Sequence, residues 1–318
     1  MAVFNVNLPP VGPDDDVAVV EGGEIYSQGS AFRRFLRTFF ENKLAAVGLV
    51  VIVLIVLFSF LGPHLYHTDQ VNPTLVLPNG QKGPDAGPVA GHPLGMDTAG
   101  FDILGRLMLG GQISLEIGFV AGLAGTVIGV VYGAISGYFG KWLDMVLMRI
   151  VDVGLAFPVI FLFVFVASVE APSKTLLIVL LSIVTWLGPA RLVRGEALTL
   201  KTREFVQALR TMGGGATRAI WRHIVPNTIG TIVVTITFQI ADAIIILSTL
   251  QFLGFGLPPG DPTWGSMLDQ AINDASAQVN GYWWQIYPAG VLIVLTVVAV
   301  NLVGDALRDA FEVRLQKR

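Results

Sequence analysis

Apolar residues fall in six runs, each near the roughly 20 residues that an α-helix needs to cross a bilayer. They are Leu44–Leu61, Ile113–Tyr138, Met145–Ser168, Leu176–Val193, Ile229–Leu253 and Ile286–Leu307. The fourth is interrupted by Gly188-Pro189 and carries Arg191 in its last turn. One such run could be a core helix of a water-soluble protein, but six in one chain predict a polytopic membrane protein. Ahead of the first run, "SAFRRFLRTFF" predicts a further helix. Ser30 can cap it, Phe32, Phe35, Leu36, Phe39 and Phe40 recur at helical spacing, and Arg33, Arg34 and Arg37 take the other face. Such a helix lies on the inner leaflet or simply extends the first span.

Composition agrees with the pattern. Of 318 residues 53% are hydrophobic and 14% charged, and mean hydropathy is +0.68. The chain has no cysteine, which excludes disulfides and thiolate chemistry, and its net charge of −3 suggests no nucleic-acid partner. Residues 1–32 carry no Lys or Arg but do carry Asp14, Asp15, Asp16, Glu21 and Glu24. They do not resemble a secretory signal and are expected to form a flexible, exposed tail.

The distribution of cations orients the spans. With the N-terminus inside, seventeen of the twenty Lys and Arg lie on the inner side, leaving Lys82, Arg106 and Lys174 outside. Both termini are therefore expected in the cytosol, and Glu204–Asn227 forms a cytosolic segment between the fourth and fifth spans. Just ahead of it, Thr202 is expected to cap a helix to about Met212, ended by Gly213-Gly214-Gly215. A second short helix is expected from Thr217 to Val225, stopped by Pro226. Phe205, Val206, Leu209, Ile220 and Ile224 form an apolar side suited to docking in a groove of another protein. The second span carries Gly118, Gly122, Gly125, Gly129, Gly133 and Gly137, which permit either close packing or sliding against a neighbouring helix. Outside, Tyr282, Trp283 and Trp284 are expected to mark the membrane interface.

Ionisable groups inside spans are the remaining candidates. Asp242 is placed to line a pathway or to make a buried structural hydrogen bond. Arg149 and Asp152, spaced i, i+3, are expected to pair with each other near the cytosolic end of the third span. There is no phosphate-binding G-x-x-x-x-G-K-[ST], no H-E-x-x-H and no G-x-S-x-G, so no catalytic or metal site is expected in this chain.

The segment "EFVQALRTMGGGATRAIWRHIVPN" resembles the EAA loop of ABC importer permeases. Gln207-Ala208-Leu209 stand at the E-A-A place, Gly213 at the glycine, and Pro226 thirteen residues on. Three further stretches resemble the C-type permease of dipeptide/oligopeptide importers: "HPLGMDTAGFDILGRLMLGGQISL" from His92, "LQFLGFGLPPGDPTWGSML" from Leu250 and "NLVGDALRDAFEVRL" from Asn301. The sequence departs from that pattern at Phe101, Gly105, Gln112, Leu247, Gln251 and Glu312-Val313; those at Phe101, Gln112 and Leu247 are expected to change the polarity of the outer loop and the pathway.

The resemblance implies an all-α polytopic fold with six transmembrane helices and cytosolic termini, the type I ABC importer permease fold, in a bacterial or archaeal cytoplasmic membrane. The expected organisation is a tail and surface helix at 1–43, a first span at 44–61 and an extracytoplasmic segment at 62–112. A five-helix core follows at 113–307, with a coupling loop at 196–227 and an external loop at 254–285, and then a tail at 308–318. The implied partners are a homologous second permease, two cytosolic ATP-binding subunits that hold ATP-Mg, an extracytoplasmic binding protein and membrane lipid; no cofactor belongs to this chain. The implied cargo is a dipeptide or oligopeptide, with nickel, glutathione or saccharides as alternatives. Expected coupling residues are Glu204, Phe205, Gln207, Ala208, Leu209, Gly213, Ala216, Ile220, His223 and Pro226. Expected external docking or gate residues are His92, Asp97, Asp102, Arg106 and Trp264. An ion-coupled carrier or channel using Asp242 is the competing class, against which no paired, interrupted helices are found.

Overall fold

Local capping chemistry sets where the helices begin. The computed structural model describes residues 19–21, 24–26, 39–66, 85–258 and 260–316. In it the Asn42 side chain accepts from the N–H groups of Leu44 (3.0 Å) and Ala45 (3.3 Å), starting α1 (Lys43–Phe60). A single turn, α2 (Gly62–Leu65), follows. Asp102 accepts from the Leu104 N–H at 3.2 Å and starts α3 (Ile103–Phe139). Thirty-seven residues at 1.5 Å rise make α3 roughly 55 Å long, well beyond a hydrocarbon core of about 30 Å. The helix thus begins ten residues before the expected start at Ile113, because Arg106, Gln112 and the intervening glycines hide helix from a hydropathy reading.

The third span is not continuous. It consists of α4 (Lys141–Ala156) and α5 (Val159–Val169), bent by 76° at Phe157-Pro158. Proline has no N–H to donate and pushes the residue before it into extended backbone, as Phe157 shows with φ −85 and ψ 125. The fourth span is α6 (Lys174–Thr185) and α7 (Leu187–Leu200), with its break at Trp186 rather than at Gly188-Pro189. The cytosolic elbow follows as α8 (Glu204–Thr211), α9 (Ala216–Ala219), a π-helical turn Ile220–Ile224 and α10 (Val225–Asn227). The fifth span is α11 (Ile229–Phe252) and the last is α14 (Trp283–Gln316). Between them the external helices α12 (Trp264–Asn273) and α13 (Ala275–Asn280) occupy the predicted external loop. Among the described residues five helices are long and apolar enough to cross a membrane, and counting the bent pair α4–α5 as one span brings the number to six.

Among the described residues the N-terminal region contains a small antiparallel hairpin, Val19–Glu21 with Glu24–Tyr26, where an unstructured tail was expected; β-branched Val19, Val20 and Ile25 favour extended backbone. The predicted surface helix from Ser30 lies outside the described residues as far as residue 38. Phe39, at its end, is buried against Ala45 and Ala306, and Phe40 is exposed.

The core is strung along α3. At its outer end Ile103 and Leu107 pack with Ile55, Trp264, Met267 and Ala289. In its middle Ile117 and Ala121 pack with α5, α6 and α11 through Phe163, Leu181 and Leu247. At its inner end Val130, Ala134 and Tyr138 pack with Val193 and Ala197 of α7 and with the elbow. The glycine series allows this. A Cβ on Gly122 would lie 2.8 Å from the Ile240 backbone nitrogen of α11. Cβ atoms on Gly129 and Gly133 would lie 2.6 Å from the Trp186 carbonyl and 2.4 Å from the Ala190 carbonyl. Gly125, Gly129, Gly133 and Gly137 therefore form the seat of the fourth span, with backbone against backbone.

Candidate functional site

The cytosolic elbow is built from both its ends. The Thr202 hydroxyl donates to the Thr199 carbonyl and closes α7, so it does not cap α8; Arg203 takes that place with no side-chain cap. The Gln207 side chain donates to the Thr202 carbonyl at 2.9 Å and holds the corner. At the other end of α8, Gly213 adopts φ +79, its N–H donates to the Arg210 carbonyl (3.0 Å), and the Gly214 N–H donates to the Leu209 carbonyl (2.8 Å). This pair of bonds is the Schellman arrangement, in which a left-handed residue satisfies the last carbonyls of a helix. The second arm begins at Ala216 and does not stop at Pro226. The backbone widens to a π turn immediately before Pro226, which lacks the N–H an α-helix would use, and α10 then carries the chain to the fifth span.

The expected apolar side of the elbow faces its own chain. Val206, Leu209, Ile220 and Ile224 are buried against Val130, Ala134, Tyr138, Val193 and Ala197, so they are not available to a groove on another protein. Phe205 turns the other way. It is 41% exposed and lies beside the His223 ring at 6.1 Å between centroids. The surface left open carries Glu204, Phe205, Gln207, Ala208, Met212, Gly213 and Pro226, with Trp221 on the second arm. Met212 is 78% exposed. Ala216 is half-buried.

A polar cluster that sequence reasoning missed ties this elbow to the bundle. The Arg194 guanidinium grips Asp144 with both prongs, Nε to Oδ1 and Nη2 to Oδ2, each at 2.6 Å. The Ser136 hydroxyl donates to the same carboxylate at 2.6 Å. Beside it Lys201 donates to the Gly137 carbonyl (2.8 Å), and the Arg210 guanidinium lies over the Tyr138 ring at 4.7 Å. Three elements, α3, α4 and α7, thereby meet at one two-pronged ion pair. Arg194 and Lys201 read in the sequence only as inner-side cations, and nothing in their spacing pointed to Asp144, fifty residues away.

The expected pathway residues do not converge. Arg149 is exposed and has no ion-pair partner among the described residues, whereas Asp152 accepts from Arg191 of α7. The expected i, i+3 pair is therefore replaced by an inter-helix pair, since α7 brings its guanidinium alongside α4. Asp242 is exposed on α11, with no hydrogen-bond or ion-pair partner among the described residues, in a stripe with Ile245, Thr249 and Phe252. The intrachain hydrogen bond weighed for it does not form. Leu247 is 1% exposed in the central core, so its departure from the family pattern does not alter that stripe. Gln251 is buried and accepts from the Leu257 N–H at 3.1 Å; Gln112 donates to the Ser59 carbonyl at 2.9 Å.

The five external candidates lie around the outer end of α3. Asp97 accepts from the N–H groups of Ala99 (3.0 Å) and Phe101 (2.8 Å) and from Arg106 (3.1 Å). Burial raises its carboxyl above the ordinary aspartate range, opposed by the Phe101 N–H and by Arg106. Arg106 also lies over the Phe101 ring at 4.5 Å. His92 Nδ1 stands 3.8 Å from Asp102 Oδ2. Trp264 is fully buried and donates to the Leu107 carbonyl at 2.9 Å. A capping box between Thr263 and Ser266 starts its helix. Gln285 donates to Asp85 (3.0 Å) and to the Met96 carbonyl (3.1 Å), fastening the segment to α14, and Trp284 stacks on Tyr282 at 4.8 Å.

Known proteins match this sequence along nearly its whole length. The family described as binding-protein-dependent transport system inner membrane component matches residues 129–317, and the N-terminal TM domain of oligopeptide transport permease C matches residues 30–81. The oligopeptide transport system permease protein OppC of Bacillus subtilis (strain 168) is 36% identical over 289 residues, 91% of each chain. The dipeptide transport system permease protein DppC of the same organism is 34% identical over 277 residues, 87% of this chain and 84% of its own. The glutathione transport system permease protein GsiD of Pectobacterium atrosepticum is 36% identical over 292 residues, 90% of each chain.

Proposed function

This chain belongs to the binding-protein-dependent transport system inner membrane components, as an ABC importer permease of the oligopeptide/dipeptide type, and on that premise we propose that its elbow is the point where ATP hydrolysis enters the membrane. Two cytosolic ATP-binding subunits hold ATP-Mg. One of them seats the open tip of α8, built from Phe205, Ala208, Met212 and Gly213. Closure of the ATPase pair displaces that tip. Val206, Leu209, Ile220 and Ile224 are locked into the inner core, and Arg194–Asp144 ties α7 to α4. The displacement is therefore carried into α3, α4 and α7 rather than absorbed by a loose loop. A homologous permease completes the pathway, and an extracytoplasmic binding protein delivers cargo to the outer face, where His92, Asp97, Asp102, Arg106 and Trp264 brace the mouth.

The observation that carries this reading is the division of the elbow into a buried apolar face and an exposed tip containing a methionine and an aromatic, the residue types that protein interfaces favour. The double variant Phe205→Asp, Met212→Asp leaves the buried face untouched. It is expected to insert normally, to lose the ATPase subunits on purification, and to transport at about a tenth of the parent rate or less, since burying an uncompensated charge in an interface costs about 2–5 kcal/mol. Normal transport by that variant would remove the tip from the coupling path.

Relatives named for oligopeptide, dipeptide and glutathione transport favour a peptide cargo. In this reading Asp242, which has no partner among the described residues, faces the pathway and meets the cargo's cationic amino terminus. Asp242→Asn is then expected to slow uptake of a free dipeptide by about tenfold while leaving its N-acetylated form unaffected, the discrimination of one charge-assisted hydrogen bond of about 1.5 kcal/mol. Equal slowing of both would assign Asp242 elsewhere.

A further inference from the structure

We propose that the half-open cavity between α1, α3, α11 and α14 binds an acyl chain of a membrane phospholipid. Its volume is about 420 Å³. Ile52 and Phe60 of α1, Phe119 of α3, Ile240 of α11 and Val300 of α14 are among its walls. Two threonines also line it, but both hydroxyls are spent on their own helices, Thr237 donating to the Val234 carbonyl and Thr296 to the Leu292 carbonyl, each at 2.7 Å. They present methyl groups. Glu116 sits at the edge with its carboxylate accepting from Lys174. The lining surface thus offers hydrocarbon and almost nothing that could hold a water, which needs two to four polar partners.

Size separates the remaining occupants. On α1 the lining runs from Ile52 to Phe60, on α11 from Thr237 to Ile244 and on α14 from Thr296 to Val303. A Cβ on Gly48 of α1 would lie 3.5 Å from Val303, so the lining on α14 reaches the level of Gly48; from there to Phe60 is about 18 Å at 1.5 Å per residue, and the volume then implies a cross-section of about 23 Å². A helix with its side chains, about 10–12 Å across, has a section of roughly 80–110 Å² and does not fit. A single extended hydrocarbon chain does. The position agrees, because the lining runs from Phe60 at the outer end of α1 past the middle of the span to Val303 of α14, level with Gly48, and so stays within a hydrocarbon core of about 30 Å. A peptide cargo, polar along its backbone, is excluded by the same surface. This inference requires only that the chain span a membrane, and it stands or falls separately from the coupling and cargo readings.

The test uses the assembled transporter in vesicles containing a phospholipid with a photoreactive group near the end of one tail. After irradiation, labelled peptides are mapped by mass spectrometry. Peptides containing residues 115–120, 237–244 and 296–303 are expected to be labelled at least about fivefold above segment 159–166, where Phe161 and Phe165 are exposed on α5, a preference of about 1 kcal/mol for the cavity over bulk lipid. Val120→Phe and Thr296→Leu, which fill the cavity from opposite walls, are each expected to bring that excess down to the level of segment 159–166. Labelling no stronger than at 159–166, an excess that survives in both filled variants, or cross-links that place another subunit's side chains in the cavity would each overturn the proposal.

Discussion

Gly133→Leu is expected to abolish accumulation of the folded chain in the membrane. A Cβ at this position would stand 2.4 Å from the Ala190 carbonyl oxygen and 2.9 Å from the Arg194 nitrogen, both of them backbone atoms. No rotamer change on the far helix relieves that contact, so α7 must move away from α3. Moving it pulls Arg194 from Asp144 and opens the inner core beneath the elbow. The cost exceeds the roughly 1–3 kcal/mol of ordinary overpacking, because the rigid part of the neighbour is what clashes. Membrane-inserted, protease-resistant protein should fall by at least about tenfold, as a loss of more than about 1.4 kcal/mol implies for a marginally stable fold. Two glycines on α7 itself provide the control. Gly188 and Gly195 have nothing within 4 Å of a would-be Cβ, so alanine there should be neutral or stabilising by about 0.5–1 kcal/mol, through the backbone entropy that glycine loses in a helix. If Gly133→Leu accumulates like the parent, the close seat of the fourth span on α3 is wrong.

Gly213→Pro is expected to leave the chain in the membrane and stop transport. Proline holds φ near −65°, whereas Gly213 needs +79, and it removes the N–H that donates to Arg210. The end of α8 loses its cap and Met212 is displaced from the tip. Nothing lies within 4 Å of a would-be Cβ on Gly213, so the bundle should tolerate the change. Transport should drop by at least about tenfold, with ATPase subunits recovered in reduced amount; Gly213→Ala, which carries only the left-handed backbone penalty of about 1 kcal/mol, should fall between the two. Normal solute uptake by Gly213→Pro, measured beside a normal membrane level, would show that the shape of this cap does not transmit force.

Both predictions concern glycines that stood out in the sequence, yet for different reasons. The spacing of Gly125, Gly129, Gly133 and Gly137 announces a face that another helix approaches, but not which helix, nor whether it slides. The contacts with Trp186, Ala190 and Arg194 answer that with fixed packing. Gly213 was legible as a helix stop because it opens a run of three glycines between two amphipathic arms, and glycine is the residue that enters the left-handed turn ending a helix. What the arms covered was not legible. Amphipathy says that a face needs burial, and it says the same whether the cover is another protein or the chain's own α3 and α7. Phe205 shows the limit most clearly, since by pattern it belongs with Val206 and Leu209 but in the fold it points away from them. Asp152 shows it for charge, because the nearest cation in sequence, Arg149, lost to Arg191 once α7 lay beside α4.

By itself the sequence predicted how many times the chain crosses the bilayer and which side holds the elbow, and it identified the family to which the chain belongs. Those properties rest on local or summed quantities: the length of an apolar run against the thickness of hydrocarbon, the balance of Lys and Arg across the spans, and the order of short motifs. Only the tertiary structure decided the rest. The bend at Phe157-Pro158 depends on proline stereochemistry acting where neighbouring helices leave room for a turn. The Asp144–Arg194 pair, the exposure of Asp242, the outward tip of α8 and the hydrocarbon cavity beside α3 each depend on which residues distant in sequence become neighbours. In a membrane that choice is made by close packing and by the satisfaction of polar groups between helices, because lipid offers every apolar face the same welcome and so leaves hydropathy silent about partners.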